Sequence, residues 1–385
     1  MSQAEFSDWT KVVKSTAKPD PHTGAVNPPI YLSSTFEQPG LDEFGQWDYA
    51  RSGNPTRDVL EESIAELENG DRGFAFATGM AAISTALLTL KQGDHVIVTK
   101  NVYGGTFRLV TEVLVNYGIS HTFVDLSDEK ALKDAFQENT KVVYLETPAN
   151  PTLQVTDIQK VSKIAHERGA LVFADNTFMT PILQKPLELG ADLVVHSATK
   201  FLAGHSDILA GLVVTKTKAL SDQVYFLQNA MGATLGVADS FLLLRGIKTL
   251  GVRMQTSSRN ALEFAKWLTE QPVVTKVNYP GLETSDGYDL QLSQAKAGGA
   301  VLSFDIGTEE NVKKLIEEIK IPVFSVSLGA TESILSYPPK MSHAELNREE
   351  RLERGITDGL LRLSIGLEDI DDLKQDFAQA FEKLN

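Results

Sequence analysis

The sequence contains no cysteine and no long apolar run, and each absence narrows the possible functions. Without cysteine the chain has no disulfide framework, no thiol nucleophile and no zinc site built on thiolates. A membrane-spanning helix needs about 18 or more consecutive apolar residues. The longest candidate, Gly79 to Leu90, is interrupted by Ser84 and Thr89. We therefore predict neither a disulfide-stabilised nor a membrane protein, and we predict no metal site.

Basic residues are also fewer than acidic ones in this sequence. The 385-residue chain has 36 lysines and arginines against 51 aspartates and glutamates, which gives a formal net charge of −15. Such an acidic balance disfavours non-specific binding to nucleic acid or anionic lipid. The first residues lack the basic start and apolar centre of a secretory signal. We expect a cytoplasmic protein that acts on a small molecule.

The N-terminal segment differs from the rest of the chain, and we predict an extended arm over residues 1–57. Its prolines favour extended backbone over helix. Its apolar side chains exceed what a disordered tail usually carries, so we expect the arm to pack against a neighbouring subunit. The prolines are Pro19, Pro21, Pro28, Pro29 and Pro39, and the apolar residues are Ile30, Tyr31, Leu32, Phe36, Trp47 and Tyr49.

From residue 58 to 240, short apolar runs alternate with helix-period segments. Strands separated by helices predict an α/β domain with a mostly parallel sheet and helices on both faces. Such sheets bind ligands beyond the carboxyl ends of their strands. The predicted strands cover 95–99, 121–125, 141–146, 170–175, 192–197 and 211–215, and the helices cover 104–118, 128–137 and 157–168.

The pattern changes near residue 240, and residues 241–385 predict a smaller α+β domain. A helix-favouring stretch runs from Ser240 to Gln271, and strand-like segments follow in VTKVNYP, AVLSFDIG and residues 321–326. The charged run EERLER at 349–354 predicts a solvated helix face. We find no GxGxxG, GxxxxGK[ST], HExxH or GxSxG motif, which weighs against dinucleotide, P-loop, zincin and serine-hydrolase functions.

Two residues at predicted strand ends carry the chemistry. Lys200 follows the run DLVVHS, with Ser197 and Thr199 just before it, and Asp175 ends the run ALVFAD. Alone, the lysine is more often a surface residue, and the aspartate is as easily a helix cap or a structural ion pair. Together they match pyridoxal phosphate, which needs a Schiff-base lysine and an acid that keeps its pyridine nitrogen protonated.

A phosphate site is indicated where the segment GFAFATGMAA turns from strand to helix. Gly79 and Met80 would open this helix. Backbone N–H groups and the helix dipole favour an anion at such a point. A small-residue helix start is usually only a packing device, so the motif gains its weight from the lysine and aspartate.

At these residues the sequence resembles the pyridoxal-phosphate-dependent enzymes of cysteine and methionine metabolism, the trans-sulfuration family. The resemblance covers essentially the whole chain and implies a fold type I, aspartate-aminotransferase-like large domain. The segments TDGLLRLSIGLEDIDDL and MSHAEL are most similar to bacterial cystathionine γ-lyases. Eight motifs occur in family order, namely DYARSGNPTRDVLEE, ATGMAA, VYGGT, ETPANP, ADNTF, HSATKF, SLGATES and LRLSIGLE.

The resemblance implies a role for each matching residue around the cofactor. Lys200 would be the Schiff-base lysine and general base, Asp175 the pyridine partner, and Tyr103 the aromatic stacked on the ring. Tyr49 and Arg51 would reach the phosphate of the neighbouring subunit, so that a homodimer, doubled to a tetramer, shares its active sites. The remaining residues that match the cofactor site are Gly79, Met80, Thr177, Ser197 and Thr199.

Substrate recognition follows from the same resemblance. Arg362 would bind the substrate α-carboxylate through two parallel hydrogen bonds, with Asn150 and Ser327 lining that site; on chemistry alone Arg362 is as easily a surface residue. Many family γ-synthases and γ-lyases carry glutamate where this chain has Val326, so Asp48 would be the remaining acidic residue of the distal pocket.

The resulting expectation is γ-elimination of cystathionine to cysteine, 2-oxobutanoate and ammonia. Cystathionine β-lyase, cystathionine γ-synthase and O-acetylhomoserine sulfhydrylase activities are the alternatives within the family. A catalytically silent α/β binding protein is the alternative from another class, because a fold does not determine function.

Overall fold

Two β-sheets organise residues 6–384, the part of the chain that the computed structural model describes. The larger sheet holds the first seven strands, and all six apolar runs predicted from the sequence lie in it. In chain order these strands are β1 (Arg72–Phe76), β2 (His95–Thr99), β3 (Ser120–Val124), β4 (Thr140–Glu146), β5 (Leu171–Asp175), β6 (Leu193–His196) and β7 (Gly211–Thr215).

The strand order is β1-β7-β6-β5-β4-β2-β3. Strands β6, β5, β4, β2 and β3 are parallel neighbours, while β7 is antiparallel to both β6 and β1. The prediction of a mostly parallel sheet is therefore confirmed. Since the carboxyl ends of the parallel strands share one edge, the residues after β4, β5 and β6 lie close together.

Helices cover both faces of this sheet because its strands are apolar on both sides. In β6, Val194 faces the core shared with α2 (Pro55–Glu68), whereas Leu193 and Val195 face the core shared with α3 (Gly79–Leu87). The other helices of this half are α1 (Asp8–Lys14), α4 (Gly104–Arg108), α5 (Glu129–Ala135), α6 (Ile158–His166), α7 (Thr180–Leu183), α8 (Lys218–Met231) and α9 (Val237–Ile247).

The smaller sheet belongs to the C-terminal part of the chain. Its strands are β8 (Lys276–Asn278), β9 (Val301–Asp305), β10 (Val323–Phe324), β11 (Ile334–Ser336) and β12 (Leu360–Ser364), in the order β10-β11-β12-β9-β8. All neighbours except β10 and β11 are antiparallel. The accompanying helices are α10 (Leu250–Thr269), α11 (Tyr288–Gln294), α12 (Glu309–Glu318), α13 (Arg348–Glu353) and α14 (Ile370–Phe381).

Three segments differ from their predicted form. The stretch from Ser240 to Gln271 contains two helices, because the helix is interrupted at Lys248 and Thr249 between α9 and α10. The proline-rich arm includes the helix α1, whose Val12 is buried in the core beside α2. The predicted helix over 104–118 is helical but irregular, with a π-helical turn at Leu109–Val113 and a 3₁₀ turn at Leu114–Tyr117.

Other details of the C-terminal part agree with the sequence. Helix α13 has no buried residue, as the charged run predicted. The segment LRLSIG contains β12, whose five residues are all buried. Within residues 6–384, no helix is both long and apolar enough to cross a membrane.

Candidate active site

Lys200 lies in the turn after β6 and reaches the C-terminal part of the chain. Its Nζ donates a hydrogen bond to Ser327 Oγ at 2.6 Å. Burial, and next the positive charge of Arg362, lower the pKa of the Lys200 amine to about 8. Near neutral pH an appreciable fraction of this amine is therefore uncharged, the form that accepts a proton.

The turn that carries Lys200 is held in two ways. Gly329 has φ +80°, and a Cβ there would lie 2.7 Å from the main-chain nitrogen of Phe201, so only glycine fits this approach. On the other side, the buried Arg253 guanidinium donates to the carbonyls of Phe201 and Leu202 at 2.6 and 3.3 Å. The backbone on which Lys200 stands is thus tied to helix α10.

Asp175 ends β5 beside Glu146, which ends β4, and the two residues are direct partners in the parallel ladder. Asp175 accepts hydrogen bonds from the Thr177 main-chain nitrogen at 2.9 Å and from the Tyr144 hydroxyl at 3.3 Å. Burial raises the pKa of Asp175. An acid in this position suits a protonated ring nitrogen, whose positive charge would restore the ionised carboxylate.

An anion site is formed where α3 begins against the end of β6. The N–H groups of Gly79 and Met80 have no acceptor within residues 6–384. A Cβ on Gly79 would lie 2.7 Å from Ser197 Oγ, so the glycine lets the helix start reach the Ser197 hydroxyl. Unsatisfied N–H groups, a helix dipole and a hydroxyl together fit a phosphate.

The two threonines predicted for this region already bond to the protein. Thr177 Oγ1 accepts the main-chain N–H of Ser197 at 2.8 Å. Thr199 Oγ1 accepts the Ala210 N–H at 3.0 Å and lies 3.2 Å from the Ala210 carbonyl oxygen, to which it donates. Both hydroxyls therefore hold the loop after β6 in place, and their roles at the phosphate stay predictions.

Tyr103 lies at the start of α4, with 44% of its surface exposed. Its main-chain N–H points at both carboxylate oxygens of Glu146, at 3.1 and 3.0 Å. The Tyr103 ring and the Met80 sulfur both approach Gly105, where a Cβ would lie 2.5 and 2.7 Å from them. An exposed ring beside the start of α3 is available to stack on a ligand.

Arg362 on β12 is 4% exposed. Its guanidinium donates to Asn150 Oδ1 at 2.9 Å, to the Ser327 carbonyl at 2.6 Å and to Ser336 Oγ at 3.0 Å, while its buried Nε has no partner within residues 6–384. Burial lowers its pKa to about 10. The structure thus brings Arg362, Asn150, Ser327 and Lys200 together, and the guanidinium keeps its positive charge for an incoming carboxylate.

Four predicted residues have no hydrogen bond with this group in the described chain. The Arg51 guanidinium lies over the Tyr49 ring at 5.3 Å and donates to Asn229 of α8 at 3.1 Å. Asp48 is exposed and accepts the N–H of Tyr49, and Val326 is 61% exposed beside Ser327. Their predicted roles at the phosphate and the distal pocket stay predictions.

Sequence reasoning missed three side chains of the site. Glu146 ends the run KVVYLE in the way that Asp175 ends ALVFAD, so the same signal was available for it. No sequence pattern pointed to Arg253 or Ser336. The partner of Arg253 is the Phe201 carbonyl and that of Ser336 is Arg362, and both partners lie far away in the sequence.

The residues present fit pyridoxal phosphate. The unsatisfied N–H groups at the start of α3 offer a phosphate site, and Asp175 offers a half-buried acid for the ring nitrogen. Lys200 supplies an amine of lowered pKa for the aldehyde. No metal is required by this donor set.

The fold and this site define a fold type I pyridoxal-phosphate-dependent enzyme. The chain belongs to the family described as Cys/Met metabolism PLP-dependent enzymes, whose model matches residues 9–382. The predicted family, fold class and cofactor are therefore confirmed, and the protein is a PLP-dependent lyase of cystathionine-lyase kind.

Named relatives are similar over nearly their whole length. The cystathionine beta-lyase MetC of Bacillus subtilis (strain 168) is 56% identical over 384 residues, covering 100% of this chain and 98% of that protein. The cystathionine gamma-lyase of the same organism is 48% identical over 365 residues, covering 95% and 96%. The crystal structure of cystathionine gamma-lyase from Lactobacillus plantarum complexed with L-serine matches with a TM-score of 0.96 at 43% identity, covering 98% and 99%.

Proposed function

We propose that this enzyme cleaves a carbon–sulfur bond of L-cystathionine by elimination. The observation that carries the proposal is the pairing of Lys200 with the Arg362 site across two sheets. An amine of pKa about 8 stands beside an unneutralised guanidinium that suits the α-carboxylate of an amino acid. Lys200 is then the base that removes the Cα proton of the bound amino acid.

Each residue has a defined part in this reaction. Arg362, fixed by Asn150, orients the carboxylate, and Tyr103 orients the ring plane. Bound pyridoxal phosphate supplies an electron sink for the charge left at Cα. Asp175 keeps the ring nitrogen protonated, and the start of α3 holds the phosphate.

The choice between β- and γ-elimination depends on which half of cystathionine reaches Arg362, because both halves carry an α-carboxylate. Binding through the cysteine half gives homocysteine, pyruvate and ammonia. Binding through the homocysteine half gives cysteine, 2-oxobutanoate and ammonia. We propose β-elimination as the principal reaction, supported by the 56% identity to a cystathionine beta-lyase. The γ-elimination expected from the sequence is the second candidate, supported by the 48% identity to a cystathionine gamma-lyase.

One product assay decides between them. Purified enzyme loaded with cofactor is incubated with L-cystathionine, and the 2-oxo acid is identified chromatographically. Pyruvate supports β-elimination and 2-oxobutanoate supports γ-elimination. If neither acid forms beyond the Lys200→Ala control, the lyase proposal is wrong, and O-acetylhomoserine with a thiol is the next substrate pair to assay.

We further propose that two copies share their active sites, with Tyr49 and Arg51 serving the partner's phosphate, and that two such dimers form a tetramer. Large apolar side chains of the arm and of α8 support an interface with a second copy. Leu32 is 83% exposed, Leu41 89%, Phe44 76% and Phe226 69%. Residues 1–57 as arm, 58–240 as cofactor domain and 241–385 as C-terminal domain stay the proposed division, with the cytoplasm as the proposed location.

A further inference from the structure

Glu146 and Asp175 form a pair of carboxyl groups at the carboxyl ends of neighbouring strands. They are aligned in the β4–β5 ladder after Tyr144 and Phe173, whose side chains pack in one core cluster. Side chains alternate along a strand, so both carboxyl groups lie on the same face of the sheet. Glu146 is 7% exposed.

The Glu146 carboxyl also contacts the loop of the ring-stacking tyrosine. Its two oxygens lie 3.1 and 3.0 Å from the main-chain nitrogen of Tyr103, whose N–H donates to the Glu146 side chain. Glu146 therefore lies between Tyr103, which would stack on the cofactor ring, and Asp175, which would meet the ring nitrogen.

Two adjacent buried carboxyl groups do not ionise together readily. Burial, and next the charge of Asp175, raise the pKa of Glu146 well above its usual range. The neighbouring titratable groups that act on the pair are Tyr144, whose hydroxyl donates to Asp175, and His196, which is hydrogen-bonded to Glu68. A positive charge on His196 would favour ionised Asp175. Tyr103 contributes its main-chain N–H to Glu146. Of these two carboxyl groups, Glu146 is therefore the one favoured to carry a proton.

We propose that Glu146 is a positioning residue that acts in its neutral form, fixing the main chain of Tyr103 over the cofactor ring while leaving the negative charge of the pair on Asp175. This inference rests on the proposed roles of Tyr103 and Asp175. It assigns to Glu146 no contact with substrate or cofactor.

The decisive comparison is between Glu146→Gln and Glu146→Leu. Glutamine is neutral and keeps an oxygen for the Tyr103 N–H, whereas leucine has a similar size and no acceptor. The dissociation constant of pyridoxal phosphate is measured by titrating apoenzyme, together with the visible circular dichroism of the bound cofactor and the pH profile of kcat/KM. The matched control is Asp376→Leu. Asp376 is a buried carboxylate on α14 that accepts the N–H groups of Lys320 and Ile321.

We expect Glu146→Gln to bind the cofactor within about threefold of wild type, with an unchanged pH profile. Glu146→Leu should bind it about tenfold more weakly, because a buried N–H loses its acceptor, and its visible dichroism should fall. Asp376→Leu should lower Tm and leave cofactor affinity and dichroism unchanged.

A glutamine variant as damaged as the leucine variant would show that ionised Glu146 is needed and would overturn the proposal. A leucine variant that loses only Tm, as the control does, would overturn it too. If Glu146→Leu does not fold, the glutamine variant decides alone: an altered pH profile or dichroism overturns the proposal, and wild-type values support it.

The Lys200→Ala and Asp175→Ala variants are assayed in parallel to test the proposed function separately. If either variant keeps its lyase activity, the proposed function is wrong. If both variants are inactive while both Glu146 variants match wild type, only the inference about Glu146 is wrong.

Discussion

Lys200 Nζ and Ser327 Oγ are 2.6 Å apart although 127 positions separate them in the chain. The lysine follows a strand of the larger sheet, and the serine precedes a strand of the smaller one. This hydrogen bond therefore joins the cofactor-binding half of the site to the half that carries Arg362. The amine and the carboxylate site are held in register by a contact between the two parts of the chain.

Replacing Lys200 by alanine should abolish turnover, because it removes the proposed general base. The fold should survive, since the lysine lies in a turn and not in the core. Product formation, the visible absorption of the cofactor and far-ultraviolet circular dichroism are measured together. The matched control is Lys218→Ala, a lysine whose side chain is 79% exposed on α8. An active Lys200→Ala enzyme would contradict the assignment.

The lowered pKa of Lys200 predicts a pH-dependent stability of the cofactor-free protein. Its pKa is about 8 in the folded chain, whereas a free lysine side chain has a pKa of about 10.5. Between these values the unfolded chain binds more protons, so this residue makes the folded state more stable as pH rises from about 8 to about 10.5. Lys200→Met removes the effect. We expect the variant's excess free energy of unfolding over wild type to shrink from pH 7.5 to pH 10 in urea titrations, and a constant difference would contradict the assigned pKa.

Arg362→Lys should retain the charge but lose the second parallel hydrogen bond to the substrate carboxylate. A hydrogen bond to a charged group contributes about 1.5–3 kcal/mol, so we expect kcat/KM to fall by roughly 10- to 100-fold, chiefly through KM. Steady-state kinetics with cystathionine test this. Arg348→Lys, at an exposed arginine of α13, is the control and should match wild type. An unchanged KM for Arg362→Lys would remove Arg362 from the carboxylate site.

Substitution of Val326 tests whether this residue faces the distal ammonium of the substrate. Its side chain cannot pair with the second ammonium of cystathionine, so we expect the secondary γ-elimination activity of wild type also to accept substrates without that group, such as homocysteine. Val326→Glu should raise the ratio of kcat/KM for cystathionine over homocysteine by about 3- to 10-fold, less than a buried ion pair would give because the position is exposed. The control is Val323→Glu on β10. An unchanged ratio in a folded, cofactor-loaded variant would leave Asp48 or another residue to set the preference.

Subunit mixing tests the shared site. Arg51→Ala and Lys200→Ala enzymes should each be nearly inactive. In a hybrid dimer one site carries both defects and the other carries neither, so a fully exchanged equal mixture should recover about one quarter of wild-type activity. Exchange is verified with two affinity tags. Complete exchange without recovery would show that Arg51 serves its own chain.

The strands of the larger sheet were predictable because strands buried on both faces are continuous apolar runs, and the predicted bounds 95–99 and 211–215 match β2 and β7. The break between α9 and α10 was not. The Gly246 carbonyl in the last turn of α9 accepts a hydrogen bond at 2.7 Å from the side chain of Arg253, which lies in α10. Neither Lys248 nor Thr249 is glycine or proline, and the nearest glycines, Gly246 and Gly251, lie inside α9 and α10. The helical periodicity of the sequence therefore continues through the interruption between the two helices.

Within the site, the functional residues at strand ends could be predicted from the sequence, whereas the contacts between the two sheets could not. Asp175 ends an apolar run and Lys200 follows one, and the structure places them at the carboxyl ends of the neighbouring strands β5 and β6. The contacts of Arg362 with Ser336 and Asn150 depend on how two distant parts of the chain pack. Such contacts leave no spacing pattern in the sequence.

The hydrogen-bond acceptors around Arg362 are an amide oxygen, a carbonyl and a hydroxyl, all of them neutral. A cation so placed attracts any small carboxylate, including the 2-oxo acids that the reaction releases. Product inhibition should therefore be competitive with the amino-acid substrate. Sulfate or chloride at high concentration should raise KM while leaving kcat unchanged, so that the ionic composition of the medium becomes a control on flux through this enzyme.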